Sequence, residues 1–377
     1  MFEEEVLSAA LNASSPHRFV LYPKFALDAK RVEERGIAHR VSFVPLIKRP
    51  MLPKRMLRRA KRAVLRRVST LPVAELTGRL VQAGADCAWM LGGTLTPLDM
   101  PYVATLWDLQ HRVQPWFPEV SSNGEWQTRE RLNAEFIRRA AGVVVGTHEG
   151  ARQVQASYGD AAGTLSVVPL PTPSFAIEAG IRPRGKRPAD LPQHYLLYPA
   201  QFWPHKNHIT AVRTLAALGS GDRAPHLVLV GNDRGNREHV MEAARALGVE
   251  HRIQTPGFVP ADRLISLYQH ADALLFPSLF GPDNLPPLEA MALGCPVIAA
   301  RVAGADEQLG DAALFVDPLD AEGYAAAVRS LHEAPTRTDA MLERGRRLAR
   351  SRTTALYAAA VLDLFSTRIA PIRALWP

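Results

Sequence analysis

The stretch Leu275–Ala300, LFPSLFGPDNLPPLEAMALGCPVIAA, has the pattern of a strand, a loop, a short helix and a second strand. Pro286 and Pro287 fall in the first turn of the predicted helix, where backbone N–H groups have no intrahelical partner and prolines are tolerated. Asn284 suits the N-cap, and Gly294 suits the position just after the helix, where a left-handed conformation is common. The stretch therefore predicts one strand–helix–strand unit of a parallel sheet.

The same alternation of apolar strand-like runs and amphipathic helical runs extends through almost the whole chain, which is typical of α/β folds. The predicted strands are RFVLY (18–22), HRVSFVP (39–45), DCAWML (86–91), YVATLW (102–107), GVVVGT (142–147), LSVVP (165–169), YLLYPA (195–200), HLVLVG (226–231), RIQTPG (252–257), ALLFPS (273–278), PVIAA (296–300) and ALFV (313–316). Because each second-half strand is followed by a helical run, its sheet should be parallel and covered on both faces. The fold class predicted is α/β, with two doubly wound domains facing each other across a cleft.

The domain division follows from a loss of periodicity between Pro171 and Gln193, where five prolines predict a linker. The predicted parts are an N-terminal domain (1–172), a linker (173–193), a C-terminal domain (194–350) and a C-terminal helix (351–377) that packs back towards the N-terminal domain. A doubly wound domain normally opens on its central strand and a glycine-rich turn. This chain starts with a helical run instead, so the first strand of the N-terminal domain is expected to be missing.

The composition of the 377-residue chain, with 47% hydrophobic and 22% charged residues, is typical of a soluble globular protein. No apolar run is long enough to span a bilayer, and the acidic N-terminus does not resemble a signal sequence. The two cysteines, Cys87 and Cys295, lie in or beside apolar runs, which favours buried thiols in a reducing cytoplasm.

The positive charge is concentrated in one segment, because Lys48–Arg67 contains ten Lys/Arg and no acidic residue while the whole chain carries only +8. Apolar residues at helical spacing within it predict a basic amphipathic helix over 50–68 that binds an anionic membrane surface. The residues predicted to contact the membrane are Arg58, Arg59, Arg62 and Arg66. A solvated charged helix is the alternative, and nucleic acid is disfavoured because no aromatic residue interleaves the basic run.

The loops that follow the second-half strands contain groups suited to a nucleotide sugar. Ligands of open parallel sheets bind beyond the carboxyl ends of the strands, and this edge should carry Lys206 in QFWPHKNH and Glu289 in the predicted helix. The start of that helix and the Lys206 ammonium favour a phosphate anion. A carboxylate such as Glu289 instead accepts hydrogen bonds from the vicinal hydroxyls of a ribose. A packed structural turn is the alternative interpretation.

Four segments, YPAQFWPHKNH, TPGFVPADRLISLYQHADALLFPS, NLPPLEAMALGCPVIAA and GDAALFVDP, together resemble the donor-binding half of family-4 glycosyltransferases of the GT-B fold. The first-half segment PYVATLWDLQHRVQPWFPEV resembles the acceptor domain of a mannosyltransferase-like subgroup that builds bacterial surface polysaccharides. The resemblance covers roughly residues 102–318. It implies a retaining enzyme without a metal or other cofactor, which transfers a sugar from a nucleoside-diphosphate sugar to an acceptor.

The resemblance also implies residue roles. Glu289 matches the second glutamate of the Glu-X7-Glu motif, which binds ribose, and Lys206 matches the diphosphate lysine. In the acceptor domain, Asp108 and His111 are the candidates for orienting the acceptor, with a packing role as the alternative for His111. The predicted donor-binding residues are Gln201, Lys206, Asn207, Gly231, Asn232, Phe258, Val259, Gly281, Asn284, Leu285, Pro286 and Glu289, and the predicted catalytic residues are Asp108, His111, Lys206 and Glu289.

Three positions depart from the family pattern. Gly281 replaces the first motif glutamate, Gln201 replaces an arginine, and Trp107 replaces a histidine. The function predicted is sugar transfer, with a mannose-type sugar, to a lipid-linked or polysaccharide acceptor at the cytoplasmic face of the membrane. A nucleotide-sugar epimerase on the same fold, or an inactive nucleotide-sugar-binding protein, remains an alternative.

Overall fold

The computed structural model describes residues 2–21, 41–43, 72–91, 97–159, 165–221 and 224–375. The predicted basic helix over 50–68, with Arg58, Arg59, Arg62 and Arg66, lies outside the described residues. In the described part of the chain, no helix is long and apolar enough to cross a membrane.

Twelve strands are present in these residues, each overlapping a strand predicted from the sequence. They are β1 (Phe19–Leu21), β2 (Val41–Phe43), β3 (Ala88–Met90), β4 (Tyr102–Thr105), β5 (Gly142–Val145), β6 (Leu165–Val167), β7 (Tyr195–Pro199), β8 (His226–Val230), β9 (Ile253–Gly257), β10 (Ala273–Phe276), β11 (Val297–Ala300) and β12 (Leu314–Val316).

The α-helices of the same residues are α1 (Phe2–Asn12), α2 (Val73–Gln82), α3 (Gln110–Val113), α4 (Pro118–Ser121), α5 (Glu125–Arg139), α6 (His148–Tyr158), α7 (Ser174–Gly180), α8 (His208–Ala217), α9 (Arg237–Ala246), α10 (Ala261–His270), α11 (Leu285–Leu293), α12 (Ala305–Leu309), α13 (Ala321–Glu333), α14 (Pro335–Ser351), α15 (Thr354–Leu364) and α16 (Ala370–Arg373).

The C-terminal half is built on a six-stranded parallel sheet in the order β12-β11-β10-β7-β8-β9. The strands β10 and β11 are buried along their whole length, as expected when helices cover both faces of a parallel sheet. Since β7, β8 and β10 are neighbours in the sheet, the loops that follow them share one edge.

The N-terminal half contains a four-stranded parallel sheet in the order β3-β4-β5-β6, and a separate parallel pair formed by β1 and β2. The strands β4 and β5 are fully buried. Two parallel α/β sheets in one chain confirm the predicted fold class.

The predicted linker is not irregular throughout, because residues Ser174–Gly180 form α7. Ala176 and Ala179 are buried in the core of the C-terminal half. A Cβ at Gly180 would overlap the backbone carbonyl of Ala292 in α11. This helix was not predicted because seven residues make only about two turns, too short a run to show a clear helical periodicity.

The C-terminal helices return to the N-terminal half. Tyr357 and Val361 of α15, and Phe365 just beyond it, are buried in one cluster with Val6 of α1 and Val103 of β4. Each large apolar side chain buried in this way stabilises the contact by about 1.5–3 kcal/mol. The chain thus ties its two halves together by both the α7 segment and α15.

Candidate functional site

The start of α11 is fixed by a side chain from the next helix. Gln308 of α12 is buried; its Oε1 accepts the Asn284 N–H at 3.0 Å, and its Nε2 donates to the Asn284 carbonyl at 2.9 Å. The helix begins at Leu285 with Asn284 as N-cap residue and ends before Gly294 in the left-handed conformation (φ 73°). Asn284 is thus the N-cap residue, as predicted, but its side chain makes no capping hydrogen bond.

The helix start consequently offers fewer free N–H groups than predicted. Pro286 and Pro287 have none, and the Asn284 N–H is occupied by Gln308. The Leu285 N–H donates to no acceptor among the described residues. An anion here must therefore depend on side-chain cations more than on the helix backbone.

The Asn284 side chain is turned towards Gly281 and Lys206. Its Nδ2 donates to the Gly281 carbonyl at 2.8 Å, and its Oδ1 accepts from Lys206 Nζ at 3.3 Å. A Cβ at Gly281 (φ 130°) would overlap the Asn284 amide. No side chain therefore fits at 281 while Asn284 keeps this position, which gives a physical reason for the missing glutamate.

Lys206 lies at the carboxyl edge of the central strand β7. Its Nζ also donates to Ser278 Oγ at 3.3 Å and lies 5.6 Å from the Phe276 ring centroid. Burial lowers the pKa of Lys206 to about 8, and the carboxylates of Asp108 and Glu119 oppose that shift. The contacts to Ser278 and Asn284 are neutral, so the ammonium charge is available to an anionic ligand.

Asn207, predicted to bind the donor, makes its side-chain hydrogen bonds within the fold. It is buried with a left-handed backbone (φ 53°), and its Nδ2 donates to the carbonyls of Pro277 and Pro318 at 3.0 and 2.7 Å. Its Oδ1 accepts from Thr210 Oγ1 at 3.0 Å. The side chain ties together the loops after β7, β10 and β12, which keeps Lys206 in place.

Glu289 lies in the second turn of α11, five residues and about 7.5 Å of helix axis beyond Asn284. Its Oε2 accepts a hydrogen bond from the hydroxyl of Tyr268 in α10 at 2.7 Å. Burial raises the pKa of Glu289 to about 7; the Tyr268 hydrogen bond opposes this shift and Glu5 of α1 adds to it. The carboxyl is thus half-buried, oriented by one donor, and close to half-ionised at neutral pH.

The remaining predicted donor residues lie along the same edge. Gln201 Oε1 accepts from Arg234 Nε at 2.6 Å, and the Asn232 carbonyl accepts from the Phe202 N–H at 3.1 Å. A Cβ at Gly231 would overlap the backbone at Ala200, so this position allows close approach of the two loops. Beyond β9, the Phe258 side chain is 78% exposed, whereas Val259 packs against the core. Leu285 packs against a cluster of the N-terminal half, and Pro286 is half-buried.

The N-terminal half faces Lys206 with two carboxylates. Asp108 lines a small cavity between the halves together with Trp107, Gly146 and Asp283. Glu119 of α4 accepts hydrogen bonds from the N–H (3.1 Å) and the Nδ1 of His205. Burial lowers the pKa of His205 to about 4, with a further contribution from Lys206. Asp108 and Glu119 thus both act on the charge of Lys206 across the cleft, since each favours its protonated form.

His111 does not face the cleft cavity. It is fully buried, and its Nε2 lies 3.2 Å from Glu130 Oε2 in α5, while its carbonyl accepts from Trp126 Nε1 at 2.6 Å. Burial lowers the pKa of His111. The structure therefore favours a packing role over the predicted catalytic one.

Further contacts hold the halves together. The Glu307 carboxylate of α12 accepts the N–H groups of His148 and Glu149 at 2.6 and 3.2 Å, at the N-terminus of α6, where a negative charge is favourable. The Gln114 amide donates to the Leu279 carbonyl at 2.9 Å. The molecule is thus seen with its cleft closed around Asp283, whose pKa burial raises to about 7.

Sequence reasoning did not single out Glu119, His205, Gln308 or Tyr268. Glu119, His205 and Tyr268 lie in segments already quoted for their resemblance, and His205 directly precedes Lys206. Gln308 follows β11, so the same strand-end rule could have found it. Among the described residues, no group of three or more His, Cys, Asp or Glu side chains could hold a metal ion.

Parts of this chain are similar in sequence to known glycosyltransferases. Residues 182–348 match the family model described as glycosyl transferases group 1. D-inositol 3-phosphate glycosyltransferase of Acidothermus cellulolyticus is 32% identical over 218 residues, which are 55% of this chain and 49% of that protein. O-antigen chain mannosyltransferase B of Escherichia coli is 31% identical over 137 residues, 36% of each chain. The chain thus spans about half, or less, of the length of these curated relatives.

The similarity to solved structures extends further. The Anabaena protein HepE, in complex with UDP and glucose, superposes with a TM-score of 0.64 over 97% of this chain and 96% of its own, at 17% identity. At this identity the likeness concerns the fold. The chain therefore has the GT-B arrangement of two Rossmann-like halves, with the glycosyl transferases group 1 match in its C-terminal half.

Proposed function

We propose that this chain is a retaining glycosyltransferase that moves a sugar, of mannose type, from a nucleoside-diphosphate sugar to an acceptor in the cleft. The observation that carries the proposal is the Lys206 ammonium. It is held by the neutral partners Ser278 and Asn284 at the carboxyl edge of a parallel sheet, beside the helix that carries Glu289. A cation for phosphates and an acid for ribose hydroxyls are what a nucleotide sugar requires.

The proposed mechanism follows from where the charges lie. Lys206 offsets the negative charge that grows on the leaving diphosphate, which is the kind of preorganised electrostatic stabilisation that contributes most to catalysis. Asp108, in the cavity on the opposite wall, orients the acceptor hydroxyl for attack on the face that the diphosphate leaves. The hydroxyl oxygen bonds to the anomeric carbon as the bond from that carbon to the diphosphate breaks, and the hydroxyl proton passes to the departing diphosphate. The Lys206 ammonium acts in place of a metal ion, and closure of the halves excludes water.

The acceptor is proposed to be lipid-linked or a growing polysaccharide of O-antigen, capsule or exopolysaccharide type. The mannosyltransferase among the relatives supports this class of acceptor. The basic segment Lys48–Arg67 would hold the enzyme at the inner face of the membrane.

A donor screen by thermal unfolding tests the proposal directly. A ligand at 100 times its Kd stabilises the native state by about 2.7 kcal/mol. Among UDP, GDP and their glucose and mannose conjugates, those that bind should therefore raise the unfolding temperature, whereas nucleotides that do not bind should leave it unchanged. Transfer is then detected as release of the nucleoside diphosphate from the stabilising donor. A chain stabilised by none of these compounds would contradict the proposal.

Donor affinity should depend on pH through two groups. Glu289 is ionised only above its pKa of about 7 and accepts ribose hydroxyls best as the anion, so affinity should rise up to that pH. Lys206 loses its charge above its pKa of about 8, so affinity should fall beyond it. Titration calorimetry should show tightest binding between the two values. In Glu289→Gln the rise on the acid side should disappear while the alkaline fall remains; an unchanged profile would contradict the assignment.

Closure of the cleft should be sensitive to Gly146. A Cβ at this position would overlap the Asp283 carboxylate. Because a displacement of about 1 Å can cost about 100-fold in rate, we expect Gly146→Ala to lower turnover by about 10- to 100-fold. Binding of UDP or GDP should stay unchanged, since the donor contacts lie in the other half.

Two further variants make the Gly146 experiment decisive. Gly146→Ala combined with Asp283→Gly removes the overlap and should recover much of the turnover. Gly78→Ala, in a helix where the added Cβ has open space around it, serves as the control. Full activity of Gly146→Ala alone would show that turnover does not require the closed contact.

A further inference from the structure

The loop after β8 places a second cation on the edge that carries Lys206. Arg234 donates from Nε to Gln201 Oε1 at 2.6 Å, and its guanidinium carbon lies 5.2 Å from the Trp203 ring centroid. Phe202 and Asp233 form a parallel bridge, and the Phe202 N–H donates to the Asn232 carbonyl. The loops after β7 and β8 are therefore joined side by side, and Arg234 lies across the segment that ends at Lys206.

Hydrogen bonds in the loop after β8 fix the backbone around Arg234, and neighbouring side chains orient its guanidinium. Asp233 Oδ1 accepts the N–H groups of Gly235 and Arg237 at 2.8 and 3.2 Å, which fixes the turn. Contact with Trp203 and Gln201 restricts the guanidinium on two sides. Gln201 is a neutral acceptor, and among the described residues no carboxylate forms an ion pair with Arg234. The side chain is thus oriented while its charge stays unneutralised and exposed to solvent.

A diphosphate ligand carries enough negative charge to require a second cation beside Lys206. A diphosphate carries negative charge on each phosphate, whereas the ammonium of Lys206 is half-buried and already faces Asp108 and Glu119. The helix start supplies few free N–H groups, as described above. In the described loops after β7, β8, β9 and β10, the Lys and Arg residues are Lys206 and Arg234.

We propose that Arg234 is the second cation of the donor site and binds the diphosphate beside Lys206, with Gln201 and Trp203 holding its guanidinium. This inference rests on the proposed function and adds to it a binding residue from a different loop. An oriented guanidinium presents paired N–H groups to phosphate oxygens, which an ammonium does not. Gln201 would then affect donor binding indirectly, by orienting the Arg234 guanidinium.

The test compares the full-length chain with Arg234→Gln in titrations of UDP and GDP, and of uridine and guanosine. We expect Arg234→Gln to weaken binding of the diphosphates about tenfold, the lower end of the loss for a charged hydrogen bond, and to leave nucleoside binding unchanged. Arg237→Gln is the matched control, because this exposed arginine begins the next helix and its side chain forms no hydrogen bond or ion pair among the described residues. Its diphosphate affinity should equal that of the unsubstituted chain.

Two variants at Gln201 separate a binding role from a structural one. Gln201→Glu would pair with the guanidinium and should weaken diphosphate binding although Arg234 is still present. Gln201→Arg combined with Arg234→Gln returns a cation to the edge and should recover affinity. If the unsubstituted chain binds UDP and GDP but Arg234→Gln binds them equally well, the Arg234 inference is overturned and the proposed function stands. If the unsubstituted chain binds neither, both are overturned.

Discussion

Lys206→Ala is expected to lower the rate of nucleoside-diphosphate release from the donor by about 100- to 1000-fold, the usual cost of removing one preorganised group that stabilises developing charge. Lys206 Nζ is fixed by Ser278 and Asn284 at 3.3 Å each, so its charge is held in place before the diphosphate leaves. The measurement is release of UDP or GDP from the donor identified by thermal unfolding. The effect should fall mainly on kcat, because the charge on the leaving group grows during the reaction.

Lys186→Ala is the matched control, since this lysine is exposed and lies in the segment before β7. Burial disfavours the Lys206 charge, so Lys206→Ala should unfold at no lower temperature than the unsubstituted chain. Retained structure with lost turnover would then locate the defect in the chemistry. Turnover that survives the substitution would exclude Lys206 as the group that stabilises the leaving diphosphate.

Glu289→Ala is expected to raise the donor Kd by about 10- to 150-fold, which corresponds to the loss of a charged hydrogen bond worth about 1.5–3 kcal/mol. The carboxylate is already oriented by the Tyr268 hydroxyl at 2.7 Å, so it needs little reorganisation to accept ribose hydroxyls. Titration calorimetry with UDP and 2′-deoxy-UDP, or the guanine pair, gives the sharpest measurement. The unsubstituted chain should prefer the ribonucleotide, and Glu289→Ala should lose that preference.

Two controls accompany the Glu289 experiment. Glu242→Ala changes an exposed glutamate of α9 and should alter neither affinity nor ribose preference. Tyr268→Phe keeps the Glu289 carboxylate but removes its hydroxyl donor, so it should have a smaller effect than Glu289→Ala. A ribose preference that persists in Glu289→Ala would show that another group binds the ribose hydroxyls.

The fold was predictable because its signals are local. The apolar runs, the alternation with helical segments and the turn chemistry around Leu285–Gly294 each depend on residues close together in the chain. The short helix α7 was not predicted, since seven residues make only about two turns and do not produce a clear helical period. The edge of the sheet that carries Lys206 and Glu289 was also predictable, because parallel strands bring their carboxyl ends together.

Roles of individual polar side chains were less predictable. Asn207 and Asn284 are both asparagines beside the expected ligand, yet Asn207 ties three loops together while Asn284 contacts Lys206. His111 and His205 both lie in segments that resemble glycosyltransferases, yet His111 is buried against Glu130 and His205 pairs with Glu119 across the cleft. The partners in these pairs come from other elements, so the sequence around each residue does not specify them.

The sequence by itself determined two parallel α/β halves, the helix at 285–293 and the sheet edge that carries Lys206, because periodicity and turn propensity act over a few residues. Only the tertiary structure decided which side chains are free to bind a ligand. Whether a polar group is free depends on hydrogen-bond partners and space contributed by distant segments, as Gln308 does for Asn284 and Arg234 for Gln201.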